Sequence, residues 1–173
     1  MGGTNPDRIT VRPAERTDAE DIHRLVMELA DYEKLTHEVT GTPADLERDL
    51  FGPRPFAHAL MAHADGELAG FALVYYNYST FLCRPVLFLE DLFVRPRFRR
   101  LGIGRRLLSA LARHALELGC GRMEWSVLDW NAPSIEFYRR LGARPMDEWT
   151  IFRLMGDALT RLAEDGSAGR ATT

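Results

Sequence analysis

The sequence predicts one α/β domain, with a mixed central β-sheet flanked by helices. Three observations lead to this prediction. Strand-type and helix-type apolar periods follow each other along the chain, a hairpin turn joins two of the strand-like runs, and helical crossovers join others. The chain has 173 residues, which is the size of one domain. Hydrophobic residues make up 46% of it, so a core can form without a disulfide or metal staple.

The N-terminal third is predicted to form one strand and two helices. Residues 9–12 alternate in polarity and end at Pro13, which suits a first strand. Thr17, followed three residues later by a glutamate, is a capping-box pattern, and apolar residues recur behind it at helical spacing. Thr42, with Pro43 at the first helical position, is predicted to start a second, short helix.

The rest of the chain is predicted to continue as strands and two more helices. Runs at 57–64 and 68–76 flank Asp65-Gly66, which is a strong hairpin signal. A β-rich run at 86–94 precedes an arginine-rich turn and an apolar helical stripe closed by Gly119. The remaining predicted elements are a strand at 122–128, a helix from Asn131 to Gly142 and a final strand at 149–154. Residues 1–7 and 164–173 are predicted to be disordered, which leaves 8–163 as the folded domain.

Composition argues against several classes of protein. The net charge is −3, which does not favour a general polyanion binder, and only Lys34 among the 22 basic residues is a lysine. Cys83 and Cys120 form no CxxC pair, and the histidines form no HExxH pair, so no metal site is predicted. No apolar run reaches the length of a membrane span, and the polar N-terminus is not a signal peptide. We therefore expect a cytoplasmic protein without a membrane partner.

Residues 99–104, Arg-Arg-Leu-Gly-Ile-Gly, carry the most informative local pattern. They follow a predicted strand and open a helix, where free backbone N–H groups and the helix dipole favour phosphate. A P-loop would need Lys-Ser or Lys-Thr where Arg105-Arg106 stands, and a dinucleotide fingerprint would need glycine at Leu107. A pyrophosphate site of the RxxGxG type remains, with a plain tight turn as the alternative.

Six arginines lie between Arg95 and Arg106. Such a run is typical of a nucleic-acid patch, of solvated surface charge, or of a counter-charge for one phosphorylated cofactor. Because the chain has no net positive charge and Phe98 is the one aromatic residue within the run, we expect no nucleic-acid partner.

Several separated segments, in the right order, resemble the GCN5-related N-acetyltransferase (GNAT) superfamily. They are residues 28–33 (Glu-Leu-Ala-Asp-Tyr-Glu), 88–94 (Phe-Leu-Glu-Asp-Leu-Phe-Val), the 99–104 turn, 129–131 (Asp-Trp-Asn) and Phe137-Tyr138. The resemblance covers about residues 8–163 and is closer to the diamine acetyltransferases, in particular their thialysine branch. It implies the GNAT fold, with the glycine-containing strand-to-helix turn binding pyrophosphate.

The resemblance also implies a reaction and two catalytic residues. An acetyl-CoA-dependent N-acetyltransferase would transfer acetyl to a primary amine of a small molecule by direct attack in a ternary complex, without a metal. Such chemistry needs a proton acceptor for the amine and a proton donor for the departing thiolate. The resemblance assigns these roles to Glu90, acting through water, and to Tyr138. The alternatives are that Glu90 only attracts a cationic substrate and that Tyr138 is a half-buried helix aromatic.

Cofactor contacts follow from the same resemblance. A β-bulge in the strand at 89–94 is expected to free backbone groups for the acetyl–pantetheine arm, and the turn that follows is expected to hold the pyrophosphate. The implied cofactor-binding residues are Leu92, Phe93, Val94, Arg99, Arg100, Leu101, Gly102, Ile103, Gly104, Arg105, Asn131 and Ser134. Asn131 also suits a simple helix N-cap, and both roles are compatible.

The resemblance places the amine substrate among acidic and neutral side chains. The implied residues are Tyr32, Glu33, Ser79, Thr80, Glu90, Asp91, Trp125 and Ser126. Exposed carboxylates are often only solvated surface, which is the alternative for Glu33 and Asp91. Spermidine/spermine acetyltransferases carry an acidic residue at the position of Ser79, whereas the thialysine enzymes, like this chain, do not. This favours thialysine-like amino acids, lysine analogues and short diamines over spermine.

Two other functions stay open at this stage. One is acetylation of a protein or peptide with the same cofactor, and the other is a non-catalytic coenzyme A-binding regulatory module. The resemblance further implies a homodimer with active sites near the subunit interface. The apolar residues at 149–154 are the feature of this sequence that fits such a contact.

Overall fold

The computed structural model describes residues 8–165. Residues 1–7 and 166–173, which were predicted to be disordered, lie outside the described part. The elements in chain order are β1 (Ile9–Pro13), α1 (Ala19–Glu33), α2 (Pro43–Phe51), β2 (His58–Ala64), β3 (Glu67–Ser79), β4 (Arg84–Val94), α3 (Ile103–Glu117), β5 (Arg122–Trp125), α4 (Ala132–Arg140) and α5 (Gly156–Asp165). The chain divides after Ser126 into two compact units, the first carrying β1–β5 with α1–α3 and the second carrying α4 and α5. Each unit is described by itself.

The first unit is built on one mixed five-stranded sheet with the order β1-β2-β3-β4-β5. Strands β1 to β4 pair antiparallel, and α3 connects β4 to β5, which pairs parallel to β4. The predicted mixed sheet is therefore confirmed. Odd-numbered residues of β3, such as Phe71 and Leu73, join Ile22 and Leu25 of α1 in the buried core cluster. Even-numbered residues face α3, since the Tyr76 hydroxyl and Nε2 of His114 are 2.7 Å apart.

Local sequence signals explain most of the element boundaries. The Thr42 hydroxyl accepts a hydrogen bond from the Asp45 N–H at 3.2 Å, so the predicted cap of α2 is confirmed. Asp65 and Gly66 have φ values of 51° and 81°, which fits the tight β2–β3 hairpin turn predicted. At the end of α1, Lys34 takes a left-handed conformation with φ 62°.

The predicted capping box at Thr17 is wrong. A short 3-10 turn at Arg16–Asp18 precedes α1, and the Asp18 carboxylate accepts the Glu15 N–H at 2.7 Å. Both carboxylate oxygens of Asp18 also accept hydrogen bonds from the Arg12 guanidinium, at 2.6 and 2.8 Å. These bonds lower the pKa of Asp18, and the hydrogen bond from Arg12 contributes most to the lowering. The ion pair with β1, rather than a local threonine, therefore sets where the helix begins.

The C-terminal predictions are also corrected. Residues 149–154 form no strand, and Trp149, Ile151 and Phe152 are 70%, 79% and 92% exposed. A β-prone run needs a partner strand to satisfy its backbone, and none pairs with it among the described residues. Strand β5 ends at Trp125 rather than at residue 128. Helix α5 was not predicted, and it includes Glu164 and Asp165, which had been assigned to the tail.

Among residues 8–165, no helix is both long and apolar enough to cross a membrane.

Candidate functional site

A β-bulge interrupts the pairing of β3 with β4. Leu73 pairs with Asp91, but the next residue, Val74, pairs with Leu89, so Glu90 is the extra residue in β4. The bulge predicted for this strand is thereby confirmed, and the extra residue is the carboxylate assigned as general base. Glu90 is exposed and its neighbour Leu89 is buried, as the alternation of side chains along a strand allows.

Beyond the bulge, one edge of β4 has no strand beside it in the described first unit. The parallel ladder with β5 runs over four pairs and ends at Leu89 and Trp125. The Arg95 N–H donates to the Ala69 carbonyl at 2.9 Å, toward β3. Because backbone groups alternate between the two edges of a strand, the N–H groups of Leu92 and Val94 lie on the edge away from β3. These are two of the residues to which the resemblance assigned cofactor contacts.

The turn after β4 leads into a helix N-terminus without a side-chain cap. Gly102 is the N-cap of α3, with φ 82° and no side-chain hydrogen bond within the described residues. Added atoms at its Cβ position would meet nothing within 4 Å, so the glycine serves the backbone conformation and keeps the turn open. The first intrahelical bond is donated by the Arg106 N–H to the Gly102 carbonyl. The preceding N–H groups and the helix dipole can therefore hold an anion.

The six arginines of the 95–106 segment have different surroundings. Arg95 donates to both carboxylate oxygens of Glu28, at 2.6 and 2.9 Å, and to the Leu68 carbonyl. Arg97 pairs with Glu67, and Arg106 donates to the Ile9 carbonyl. Arg99 donates to the Val94 carbonyl, whereas Arg100 and Arg105 are exposed. The exposed pair flanks the start of α3 in the sequence, and the Glu28–Arg95 ion pair joins the end of β4 to α1.

Three carboxyl groups gather on the α1 side of the bulge. Asp91 is half-buried on the face of the core residue Leu73, with which it pairs. Burial raises the pKa of Asp91 to about 7, and the charges of Glu90 and of Glu33, the last residue of α1, also raise it. Burial raises the pKa of Glu33 as well. The first unit thus brings together Glu33, Glu90 and Asp91, and a cationic group among them would relieve the repulsion.

An arginine connects this carboxyl cluster with the glycine turn. The Arg99 guanidinium lies over the Tyr32 ring, 4.7 Å from its centroid, and 5.9 Å from the centroid of Phe93. Tyr32 directly precedes Glu33, so an assigned cofactor residue is in contact with an assigned substrate residue.

The tip of the β3–β4 hairpin, at residues 79–84, lies apart from the carboxyl cluster. Ser79 pairs with Arg84, five residues along β3 from Val74, which corresponds to about 17 Å. Ser79 is buried, and its hydroxyl accepts the Leu82 N–H at 3.3 Å, so it closes the tip. The β3 register therefore does not bring Ser79 and Thr80 next to Glu90. Trp125, by contrast, pairs with Leu89 beside the bulge and is followed by the exposed Ser126.

The remaining assigned residues belong to the second unit. The Asn131 side chain accepts the Ser134 N–H at 3.3 Å, so its role as the N-cap of α4 is confirmed. Tyr138 lies two turns further along α4, half-buried, with its ring centroid 5.4 Å from that of Phe137.

Two features of the site were missed by the sequence analysis. The Glu28–Arg95 ion pair joins residues 67 positions apart, and no local pattern pairs them. Tyr75 has its pKa raised by burial and by the charge of Glu90, so a phenol also lies near the bulge. Among residues 8–165 no three or more His, Cys, Asp or Glu side chains are arranged so that they could hold a metal ion.

Comparisons with known proteins agree with the resemblance. A family model described as acetyltransferase (GNAT) family matches residues 22–143. Thialysine N-epsilon-acetyltransferase of Mus musculus is 40% identical over 164 residues, which cover 88% of this chain and 96% of that protein. L-ornithine N5-acetyltransferase of Arabidopsis thaliana is 34% identical over 194 residues, covering 86% and 85%. An integron cassette protein from the mobile metagenome of V. cholerae has a TM-score of 0.76 at 23% identity, covering 91% and 98%, which shows a shared fold.

The raised pKa of Asp91 predicts a pH-dependent cost to stability. Between pH 4 and 7 the folded state holds a proton on Asp91 that the unfolded state has lost, so the free energy of unfolding falls as pH rises through this window. We expect Asp91→Asn to remove this cost, which makes the variant more stable than the parent at pH 8 by at least about 1 kcal/mol. Urea denaturation between pH 5 and 8 measures it. The exposed Asp31→Asn is the control, and a parent–variant difference that does not grow with pH would contradict the prediction.

Proposed function

We propose that this chain, which belongs to the acetyltransferase (GNAT) family, transfers the acetyl group of acetyl-CoA to a primary amine of a small molecule. The observation that carries the proposal is the bulge at Glu90, where the open edge of β4, three carboxyl groups and the turn into α3 meet. An acidic cluster suits a cationic acceptor, and an open strand edge that leads to an uncapped helix N-terminus suits an extended, phosphate-ended donor.

The described residues fit a coenzyme A diphosphate. The backbone N–H groups at the start of α3 would receive its oxygens, and the exposed Arg100 and Arg105 would neutralise its charge. The N–H groups of Leu92 and Val94 would bind the pantetheine arm by extending the sheet. Asn131 and Ser134 complete the assigned contacts. The Asn131 side-chain oxygen and the Ser134 N–H already bond to each other in the cap of α4. We propose that the two residues contact the cofactor through their other polar groups.

The proposed reaction is direct transfer with both substrates bound. The amine nitrogen attacks the thioester carbonyl carbon, the C–S bond breaks, and the amide forms. Glu90, through a water molecule, takes the proton that the nitrogen loses, and the Tyr138 hydroxyl gives a proton to the departing thiolate. A backbone N–H freed by the bulge stabilises the oxyanion of the tetrahedral intermediate.

For the acceptor, we propose a small amino acid with a terminal side-chain amine, or a short diamine. Glu33 and Asp91 would bind the ammonium group, with Tyr32 and Trp125 at the sides. Relatives named for thialysine and for L-ornithine acetylation support this class. Since Ser79 and Thr80 lie about 17 Å along the hairpin from the bulge, their role in excluding polyamines stays a prediction.

Acetylation of a protein or peptide and cofactor sensing without turnover are the competing functions. The small acidic cluster favours a compact cation over an extended peptide, and the presence of both Glu90 and Tyr138 favours turnover. A cytoplasmic location is part of the proposal, because the free thiols Cys83 and Cys120 fit a reducing compartment.

Removing either proposed proton carrier should slow the reaction without releasing the cofactor. We expect Glu90→Gln and Tyr138→Phe each to lower kcat about 100-fold or more. Because neither residue is assigned to the diphosphate, the Kd for coenzyme A should stay within about twofold of the parent value. Thiol release from acetyl-CoA and calorimetry measure the two quantities. Glu38→Gln and Tyr78→Phe, at exposed positions, are the matched controls. Full activity in both active-site variants would overturn the proposed roles of Glu90 and Tyr138, whereas a parent protein that binds coenzyme A without releasing thiol would leave the sensor function as the better account.

A panel of acceptors separates the substrate classes. We expect kcat/KM for thialysine and ornithine to exceed that for spermine and for a lysine peptide by about tenfold or more. Each substrate charge or chain end without a matching group on the protein weakens transition-state binding by about one to a few kcal/mol. Putrescine should fall between them. The same thiol-release measurement applies, and a preference for spermine or for the peptide would overturn the proposed acceptor.

We further propose that the chain forms a homodimer through the apolar segment at 149–154. Ile151 and Phe152 are among its most exposed side chains, and exposed apolar patches of this kind mark protein–protein contacts. We expect Phe152→Asp to convert the dimer to a monomer in sedimentation equilibrium. Phe81→Asp, which replaces a 94% exposed phenylalanine at the hairpin tip, should leave the assembly unchanged. A parent protein that is monomeric at tens of micromolar would refute the proposal.

A further inference from the structure

A cavity of about 420 Å³ lies in the first unit, and no residue assigned to acetyl transfer lines it. Its walls come from β1 and the residues that follow it, from the end of α2, from the start of β2 and from the middle of α3. Most of the lining side chains are apolar, including Leu50, Phe51, Leu60 and Leu111. The volume and the apolar walls are those of a small-molecule site.

The polar side chains that line this cavity are basic. They are Arg12, His58 and His114, and no aspartate or glutamate lines it. The two histidines are 56 residues apart in the sequence, and Tyr76 brings them together. A hydrogen bond of 2.7 Å joins the Tyr76 hydroxyl and Nε2 of His114, and the Tyr76 ring centroid lies 5.6 Å from that of His58.

The His58 imidazole and Nδ1 of His114, whose Nε2 is bonded to Tyr76, are the side-chain polar groups through which the described cavity can bind a ligand. Arg12 is held by both carboxylate oxygens of Asp18, so its charge is already compensated. Burial lowers the pKa of His58, and the neighbouring His114 lowers it further. The imidazoles therefore repel each other when protonated, and an anion between them would remove that repulsion.

We propose that this cavity is a second binding site, for a small monocarboxylate with an aromatic or branched aliphatic body. The carboxylate binds at His58 and His114, and the apolar body packs against Leu50, Leu60 and Leu111. An amine is excluded, because it would meet two imidazoles and no carboxylate. The polar lining of this site, two imidazoles, thus differs from the carboxyl cluster at the bulge, and the two sites select different ligands.

The cavity also touches β3, the strand that pairs with the bulged strand β4. Val74 lines it, and Val74 pairs with Leu89, the neighbour of Glu90. A ligand in the cavity therefore packs against β3 at Val74, where the register with β4 changes. Binding is then measurable as a change in the amide chemical shifts of this region.

The test is a titration of the full-length protein with 2-naphthoate, followed by amide chemical shifts and calorimetry. We expect saturable shifts at Val74, Leu111 and His114, in the absence and in the presence of saturating coenzyme A. The neutral 2-naphthamide should bind about tenfold more weakly, because it lacks the charge that strengthens its hydrogen bonds, and 2-naphthylmethylamine should not bind.

Variants decide whether the histidines are responsible. His58→Gln with His114→Gln should weaken 2-naphthoate binding about tenfold or more. His63→Gln, on the same strand β2 but outside the cavity, should bind like the parent. Ala110→Phe should abolish binding by filling the cavity from α3, and its melting curve shows whether it folds. Equal binding of the acid and the amine, unchanged binding in the double variant, or shifts confined to residues 99–104 would each overturn the proposal.

Discussion

The backbone of β4 separates from β5 after Leu89, and the candidate site depends on that separation. An unpaired strand edge is normally costly, because its N–H and C=O groups must find partners elsewhere. Here the extra residue Glu90 diverts the strand at the point where the parallel ladder stops, so the unpaired groups of Leu92 and Val94 are displayed rather than lost. The Glu28–Arg95 ion pair then holds the far end of β4 against α1. Contacts within the first unit therefore hold the edge at both ends, by strand pairing up to Leu89 and by the ion pair of Arg95.

Electrostatics divide the first unit into regions of opposite sign. Glu33, Glu90 and Asp91 gather on one side of the bulge, while Arg100 and Arg105 are exposed at the turn that follows β4. Arg99 lies between the two regions, and its guanidinium contacts the face of the Tyr32 ring. This cation–π contact stabilises the arginine without an ion pair to one of the carboxylates. A net charge of −3 conceals this arrangement, since separate clusters of opposite charge largely cancel in the sum.

Sequence reasoning reached the features that depend on local chemistry. Thr42 with Pro43, Asp65-Gly66 and the Gly102 turn each dictate a backbone conformation within a few residues, and each is found as expected. It failed where contacts between separate elements decide the outcome. Arg12 of β1, six residues before Asp18, binds its carboxylate, and Asp18 rather than Thr17 directly precedes α1.

The same limit explains the other differences. Residues 149–154 have strand-forming side chains but no partner strand, and propensity alone does not supply one. The position of Ser79 relative to Glu90 is set by the length of β3, which the sequence pattern did not define. Likewise, the histidines 58 and 114 show no spacing pattern, because the pairing of strands and the packing of α3 bring them together.

Lys34, at the left-handed end of α1, is the one lysine among 22 basic residues. Guanidinium groups are not nucleophiles at neutral pH. Lys34 is therefore the one side-chain amine of this chain that could compete with the acceptor for the acyl group. That amine directly follows Glu33. A fluorophore attached through amine chemistry would therefore label one known side chain next to the carboxyl cluster, and no engineered cysteine would be needed to place a reporter there.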